Sequence, residues 1–123
     1  MPDSILTIGR AVFNNCTQIE SIILSNKLTT IGDFSFANCA KLESIIIPIS
    51  VINMGSYVFN SCNTKVFCEQ ETLPETDNWS NGWLYNSSGY EIKSVAYWYK
   101  ETKPVEEGNF WYYNEKNIPQ IWE

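Results

Sequence analysis

Apolar positions along the first 73 residues recur with a step of 23. Ile8, Ile31 and Met54 share one column, Phe13, Phe36 and Phe59 a second, and Cys16, Cys39 and Cys62 a third. Gly9, Gly32 and Gly55 keep the same step, as do Ile19 with Leu42, Ile22 with Ile45, Leu24 with Ile47 and Leu28 with Val51. A fixed period of this length marks stacked units, none of which buries its apolar face alone. "LESIIIP" and, one unit earlier, "IESIIL" carry an L-x-x-I-x-I alternation that predicts a short strand in each unit, with alternate residues inward. The units fall at approximately 2–24, 25–47 and 48–70. Pro2 and Ser4 lie two periods before Pro48 and Ser50, so the repeat is under way at the second residue. With no capping unit ahead of it, the natural protein is expected to extend further toward the N-terminus. The first coil is expected to expose apolar edges and an unpaired strand through which two chains associate.

The period weakens after Cys62. Lys65 arrives in the column of Ile19 and Leu42, and Gln70 in that of Leu24 and Ile47, which places the end of the repeat near residue 73. "KVFCEQ" still reads as a last strand. Residues 74–123 then hold twelve of the eighteen aromatics and all five tryptophans. "EIKSVAYWY" and "GNFWYYN", joined by "KETKPVEEG", read as strands, with "IPQIW" as a possible third, and predict an antiparallel hairpin or meander. Trp79, Trp83, Trp98, Trp111 and Trp122 have two available roles: packing on the end of the last coil as a cap, or forming an exposed platform for sugar rings or a protein.

Written out, the unit is I-G-x-x-x-F-x-x-C-x-x-[IL]-E-S-I-I-[LI]. It resembles the BspA-type leucine-rich repeat of bacterial, and some protozoan, surface proteins, over residues 2 to about 70. The aromatic tail is similar to stretches that follow such repeats. The resemblance implies a leucine-rich-repeat solenoid of about three 23-residue coils with short parallel strands (residues 1–73), closed by an aromatic-rich antiparallel β cap or hairpin (residues 74–123). It also implies an extracellular or cell-surface location and a non-enzymatic role in recognition or adhesion. Host matrix proteins, other bacterial surfaces or glycans would be the partners.

Charge and composition narrow the chemistry. A net charge of −6, from eight basic residues scattered among fourteen acidic ones, disfavours nucleic acid and anionic membrane surfaces. No window approaches the roughly 20 apolar residues that span a bilayer, and no secretory leader is visible at the start. The chain has no histidine, the commonest general base and zinc ligand, and no C-x-x-C. Neither a metal nor a cofactor is therefore expected. In a stacked coil Cys16, Cys39 and Cys62 form an internal ladder of small core residues. Cys68 falls 23 residues after Ile45, at an inward strand position, and two states stay open for Cys62 and Cys68, a disulfide or a pair of thiols.

The strand pattern turns Glu20, Ser21 and Ile23 outward in one coil and Glu43, Ser44 and Ile46 in the next. They form an apolar stripe edged by acid, a candidate partner site. Glu20 and Glu43, on adjacent rungs, approach the separation of a retaining glycosidase pair, roughly 5 Å, but on an open sheet with no sign of a pocket to raise one pKa. No catalytic residue is assigned. Trp98, Trp111 and Tyr113 complete the candidate binding residues, as the aromatic alternative. A carbohydrate-binding module using the tail, or a purely structural stalk terminus, are the competing functions.

Overall fold

Eight strands appear in the computed structural model, which describes residues 1–74, 78–86 and 94–123. In chain order they are β1 (Thr7–Ile8), β2 (Thr30–Ile31), β3 (Ser44–Ile47), β4 (Asn53–Met54), β5 (Lys65–Cys68), β6 (Val95–Tyr99), β7 (Phe110–Tyr113) and β8 (Pro119–Ile121). They make two sheets, one ordered β1-β2-β4 and the other β3-β5-β6-β7-β8. No α-helix occurs among the described residues.

The first sheet follows the sequence period rung by rung. Ile8 lies opposite Ile31 and Ile31 opposite Met54, in parallel pairing. Between the sheets the backbone also bonds from one unit to the next. Phe13 N–H donates to the Ser35 carbonyl at 2.8 Å and, one period on, Phe36 N–H donates to Val58 at 3.0 Å. The turns that make this possible use left-handed backbone at repeated positions: Ala11, Phe34 and Tyr57 have φ of 55–58°, and Asn15, Asn38 and Ser61 have φ of 58–62°. Most side chains avoid that region, so cross-unit bonding must offset its cost. The stack is also tight. A Cβ on Gly32 would sit 2.7 Å from the Arg10 nitrogen, closer than atoms approach, which explains why that column is glycine.

Stacking puts like side chains in contact. The Phe13 and Phe36 rings are 5.4 Å apart and 8° from parallel, and Phe36 and Phe59 are 5.7 Å apart at 9°. Leu28, Ile31, Leu42, Ile47 and Val51 surround them, all fully or almost fully buried. Trp83 ends the phenylalanine ladder edge-on to Phe59, 6.3 Å away. Trp79 adds a rung beyond Met54, with Ser80 N–H donating to the Met54 carbonyl at 2.8 Å.

Three expectations are corrected by the pairing. First, the third unit does not degenerate; it is two residues shorter. Ser44 lies opposite Lys65 and Ile47 opposite Cys68, a step of 21. A two-residue slip keeps every side chain on its face, so Cys68 still points inward, while Lys65 no longer falls in an apolar column. The buried Thr64 takes up the slack, donating its hydroxyl to the Leu42 carbonyl at 2.8 Å. Second, the tail is not antiparallel throughout: the expected hairpin is present only between β7 and β8, and the strands before it continue the parallel ladder. β6 pairs with β5, and β7 with β6, in parallel; among the described strands only β8 runs antiparallel. Residues 100–109 span up to roughly 33 Å, ample to return the chain to the start of a strand about 16 Å long. Third, "IESIIL" forms no strand, and among the described residues no backbone hydrogen bond joins Ser21–Leu24 to β3.

Candidate functional site

Alternation along β3 buries Ile45 and Ile47 and turns Ser44 and Ile46 outward. Register carries that outer face across the sheet. Ile46 lies opposite Phe67, Phe67 opposite Tyr97, and Tyr99 opposite Trp111. The rings form a connected strip: Phe67 is 5.5 Å from Tyr97 and 5.3 Å from Trp111, and Trp111 is 5.4 Å from Tyr99 and 4.7 Å from Tyr113.

Within this strip Trp111 is entirely buried, and its Nε1 donates to the Cys68 carbonyl at 2.7 Å. That carbonyl is free to accept because Tyr99 N–H bonds instead to Gln70, at 3.1 Å, where β5 and β6 part. Of the two roles open to Trp111, the structure favours packing, and its place among the exposed binding candidates is corrected: neighbouring aromatics on the same face cover it. Trp98 is corrected too. Opposite Cys68, it faces inward and packs 6.3 Å from Trp79 and 6.4 Å from Trp83, which are themselves buried. Both tryptophans hold the structure together. Trp122, half-buried, stacks on Tyr112 at 4.1 Å.

Tyr113 stands at the working end of the strip. Its hydroxyl donates to Glu69 Oε2 at 2.8 Å, while the other oxygen of Glu69 accepts from Ile49 N–H at 2.9 Å. Burial, with the Glu69 carboxylate beside it, pushes the Tyr113 phenol well above its ordinary range, so it stays a neutral donor. A groove of about 360 Å³ opens here, lined mainly by apolar surface and including Ser21, Ile23, Ser44, Ile46, Glu69 and Tyr113. Ile23 is 83% exposed in it and Ile46 half-buried. Residues from the two halves of the chain thus meet in one place.

Glu20 and Glu43, both exposed, line a neighbouring polar hollow with Ala40 and Lys41. Phe67, Glu69, Tyr97 and Tyr99 belong to the same face, yet sequence reasoning passed over them. The faces of the first two follow from the period, but their partners do not, because the step to β5 is 21 rather than 23, and the two tyrosines lie on a strand whose parallel pairing the sequence does not show. Alternation counted back from Cys68, which the 23-residue step places with the inward Ile45, finds Phe67 on the outer face.

Three of the four thiols are shut away. All four cysteines are free, and Cys39, Cys62 and Cys68 are buried. Burial pushes Cys39 up to about 11 and raises Cys62 and Cys68 as well. These three are neutral at physiological pH. Among the described residues no cluster of three or more acidic or cysteine side chains could hold a metal ion, and no helix is long and apolar enough to cross a membrane.

A family model described as BspA type leucine rich repeat region matches residues 1–103, in six copies. The match runs past residue 73 and takes in β6, in keeping with the parallel ladder. No curated protein and no solved structure matches the chain.

Proposed function

Because the chain belongs to the BspA-type leucine-rich repeat family, we propose that it is a non-enzymatic recognition module of a secreted or cell-surface protein. It is a solenoid whose outer sheet binds a protein or matrix partner in adhesion. The observation that carries this is the groove beside β3, where the exposed Ile23 and half-buried Ile46 meet Tyr113 and Glu69. Apolar area flanked by fixed polar groups is the ordinary anatomy of a protein-binding patch.

An array of matrix proteins and glycans screened with the chain tests it. A protein ligand whose capture is lost in Ile23→Lys and Ile46→Lys, with the fold intact by circular dichroism, supports the groove. Capture of glycans alone, lost in Tyr97→Ala or Tyr99→Ala, supports a carbohydrate-binding module instead. No ligand of either kind would leave the structural stalk terminus.

Self-association belongs to the same proposal. Met1, Pro2, Ile5, Ile8, Phe13 and Ile22 line an apolar hollow of about 400 Å³ on the first coil, and β1 is an edge strand of its sheet. An unpaired edge beside apolar surface favours a second copy.

A further inference from the structure

β3 is the terminal strand of the five-stranded sheet. Lys65 N–H donates to the Glu43 carbonyl at 2.9 Å and Glu69 N–H to Ile47 at 3.0 Å, so residues 43, 45 and 47 turn their backbone toward β5. Along a strand these groups alternate, and the N–H and C=O of Ser44 and Ile46 therefore point away from the sheet. By the sequence period, Ser21–Leu24 should satisfy them. Among the described residues it makes no backbone hydrogen bond to β3. The edge ends at Pro48, which has no N–H to offer.

We propose that this edge captures an extended peptide of a protein partner by strand addition, with apolar side chains over Ile23 and Ile46 and a basic residue at each end. Main-chain bonds supply affinity in this mode, and pockets for alternate side chains supply selectivity. The unpaired edge and the 360 Å³ groove lie side by side. Charge selects the occupant. Glu20 and Glu43 precede the strand positions, both exposed, and Glu69 follows them. Each Glu69 oxygen accepts one hydrogen bond, from Ile49 or Tyr113, which fixes the carboxylate and leaves lone pairs for an ammonium or guanidinium group. Nearby Lys41 is turned to Gln18 Oε1, at 3.1 Å. The four residues of β3 span about 13 Å, so the two basic residues should be separated by about four others. An acid-flanked edge also repels acidic segments, which makes the site selective.

This inference rests on the proposed recognition role, and its test is separable from the test of that role. The probe is a capped hexapeptide, Lys-Val-Thr-Val-Thr-Lys, with a second version N-methylated at the two residues whose amides would face β3. Hydrogen exchange of Ser44 and Ile46 is followed with and without it. The expected result is fast exchange at both amides in the free protein, protection on adding the peptide, and binding about tenfold or more weaker for the methylated version. Glu69→Gln should weaken binding severalfold and make it less sensitive to salt. Protection of Ser44 and Ile46 in the free protein would mean that Ser21–Leu24 already occupies the edge, and would overturn the proposal. Equal binding of the methylated peptide, or none of either at millimolar concentration, would overturn it too. If a protein found on the array still needs Ile46 in that case, only strand addition fails and the recognition role stands.

Discussion

Cys62 Sγ lies 3.0 Å from the carbonyl oxygen of Phe36, and one coil earlier Cys39 Sγ lies 3.2 Å from that of Phe13. Each thiol donates to the backbone of the preceding unit, two periods of the chain using the same weak bond. The cysteine column is thus a connector between coils, fitted to a corner where a larger side chain would overfill. Buried S–H donors resist ionisation, and alkylation needs the thiolate. Iodoacetamide followed by mass spectrometry should label Cys16, which is only half-buried, ahead of Cys39, Cys62 and Cys68. Those three should react only on unfolding. Labelling of Cys62 at the rate of Cys16 in the folded protein would contradict the connector role.

The same burial gives a pH dependence whose sign is fixed. Cys39 ionises near 9.0 in an open chain and is raised to about 11 in the fold. A raised pKa means that the native state holds its proton more tightly, so the contribution is fully present below 9.0 and fades as pH rises toward about 11. Cys62 and Cys68 shift the same way. Urea midpoints should therefore fall through this alkaline window, and Cys39→Ala should flatten the fall. An identical slope in that variant would remove the cysteine from the explanation.

Two glycines of one column should respond differently to a methyl group. At Gly9 an added Cβ meets Val12 Cγ2 at 3.6 Å, an ordinary contact, whereas at Gly32 it meets the Arg10 nitrogen and the Gly9 carbonyl carbon at 2.7 Å. Backbone cannot move aside without prying the coils apart. Gly9→Ala is expected to be nearly neutral, and Gly32→Ala to cost about 2 kcal/mol or more, as overpacked sites do. Denaturant titration of the two variants measures it. Equal stabilities would mean that the coils are not stacked this closely.

Periodicity made the repeat legible because stacking forces like residues together: the columns of Phe36 and Ile31 are contacts before they are patterns. Register after Cys62 was not legible. A two-residue shortening leaves the faces unchanged, so "KVFC" reads as a strand under either step while its register against β3 stays hidden, and Lys65 falls in a column that is apolar elsewhere. Parallel and antiparallel strands also look alike along a chain, since direction is set by the connection, and residues 100–109 suit either. Hence Trp98 and Trp111 could be placed on strands but not on faces. The groove needed Tyr113 beside Ile46, a contact between distant segments that no local pattern encodes. Glu69 gained its role only there, between Ile49 and Tyr113.

Trp111 supplies a test of that placement. Its ring is wholly buried and its Nε1 takes the Cys68 carbonyl. Trp111→Phe keeps an aromatic ring but leaves that carbonyl without its donor and the strip short of volume, for an expected loss of about 1–3 kcal/mol. Trp111→Ala should cost more, about 3–5 kcal/mol. Tyr97→Ala, by contrast, removes a half-buried ring and should be milder. Thermal melts of the three variants give the ranking. Full stability in Trp111→Ala would return this tryptophan to the exposed platform, the other role that its sequence left open.

The proposed self-association through the first-coil hollow carries an expectation about strength as well as place. Six residues line it, a fraction of the roughly 20–30 per side in a standard interface. Part of the attraction must then come from β1, whose two residues offer few edge bonds. Pairing should be weak and strongly concentration-dependent. Light scattering across a hundredfold range is expected to show mass rising toward a dimer, and Ile5→Lys to hold the chain as a monomer, because a charge in that hollow would be desolvated without a partner. The effect should be indifferent to Ile46→Lys, since Ile46 lines the groove and not the first-coil hollow, although Ile22 borders both. A monomer throughout the range, or a dimer broken equally by both variants, would move the contact away from the first coil.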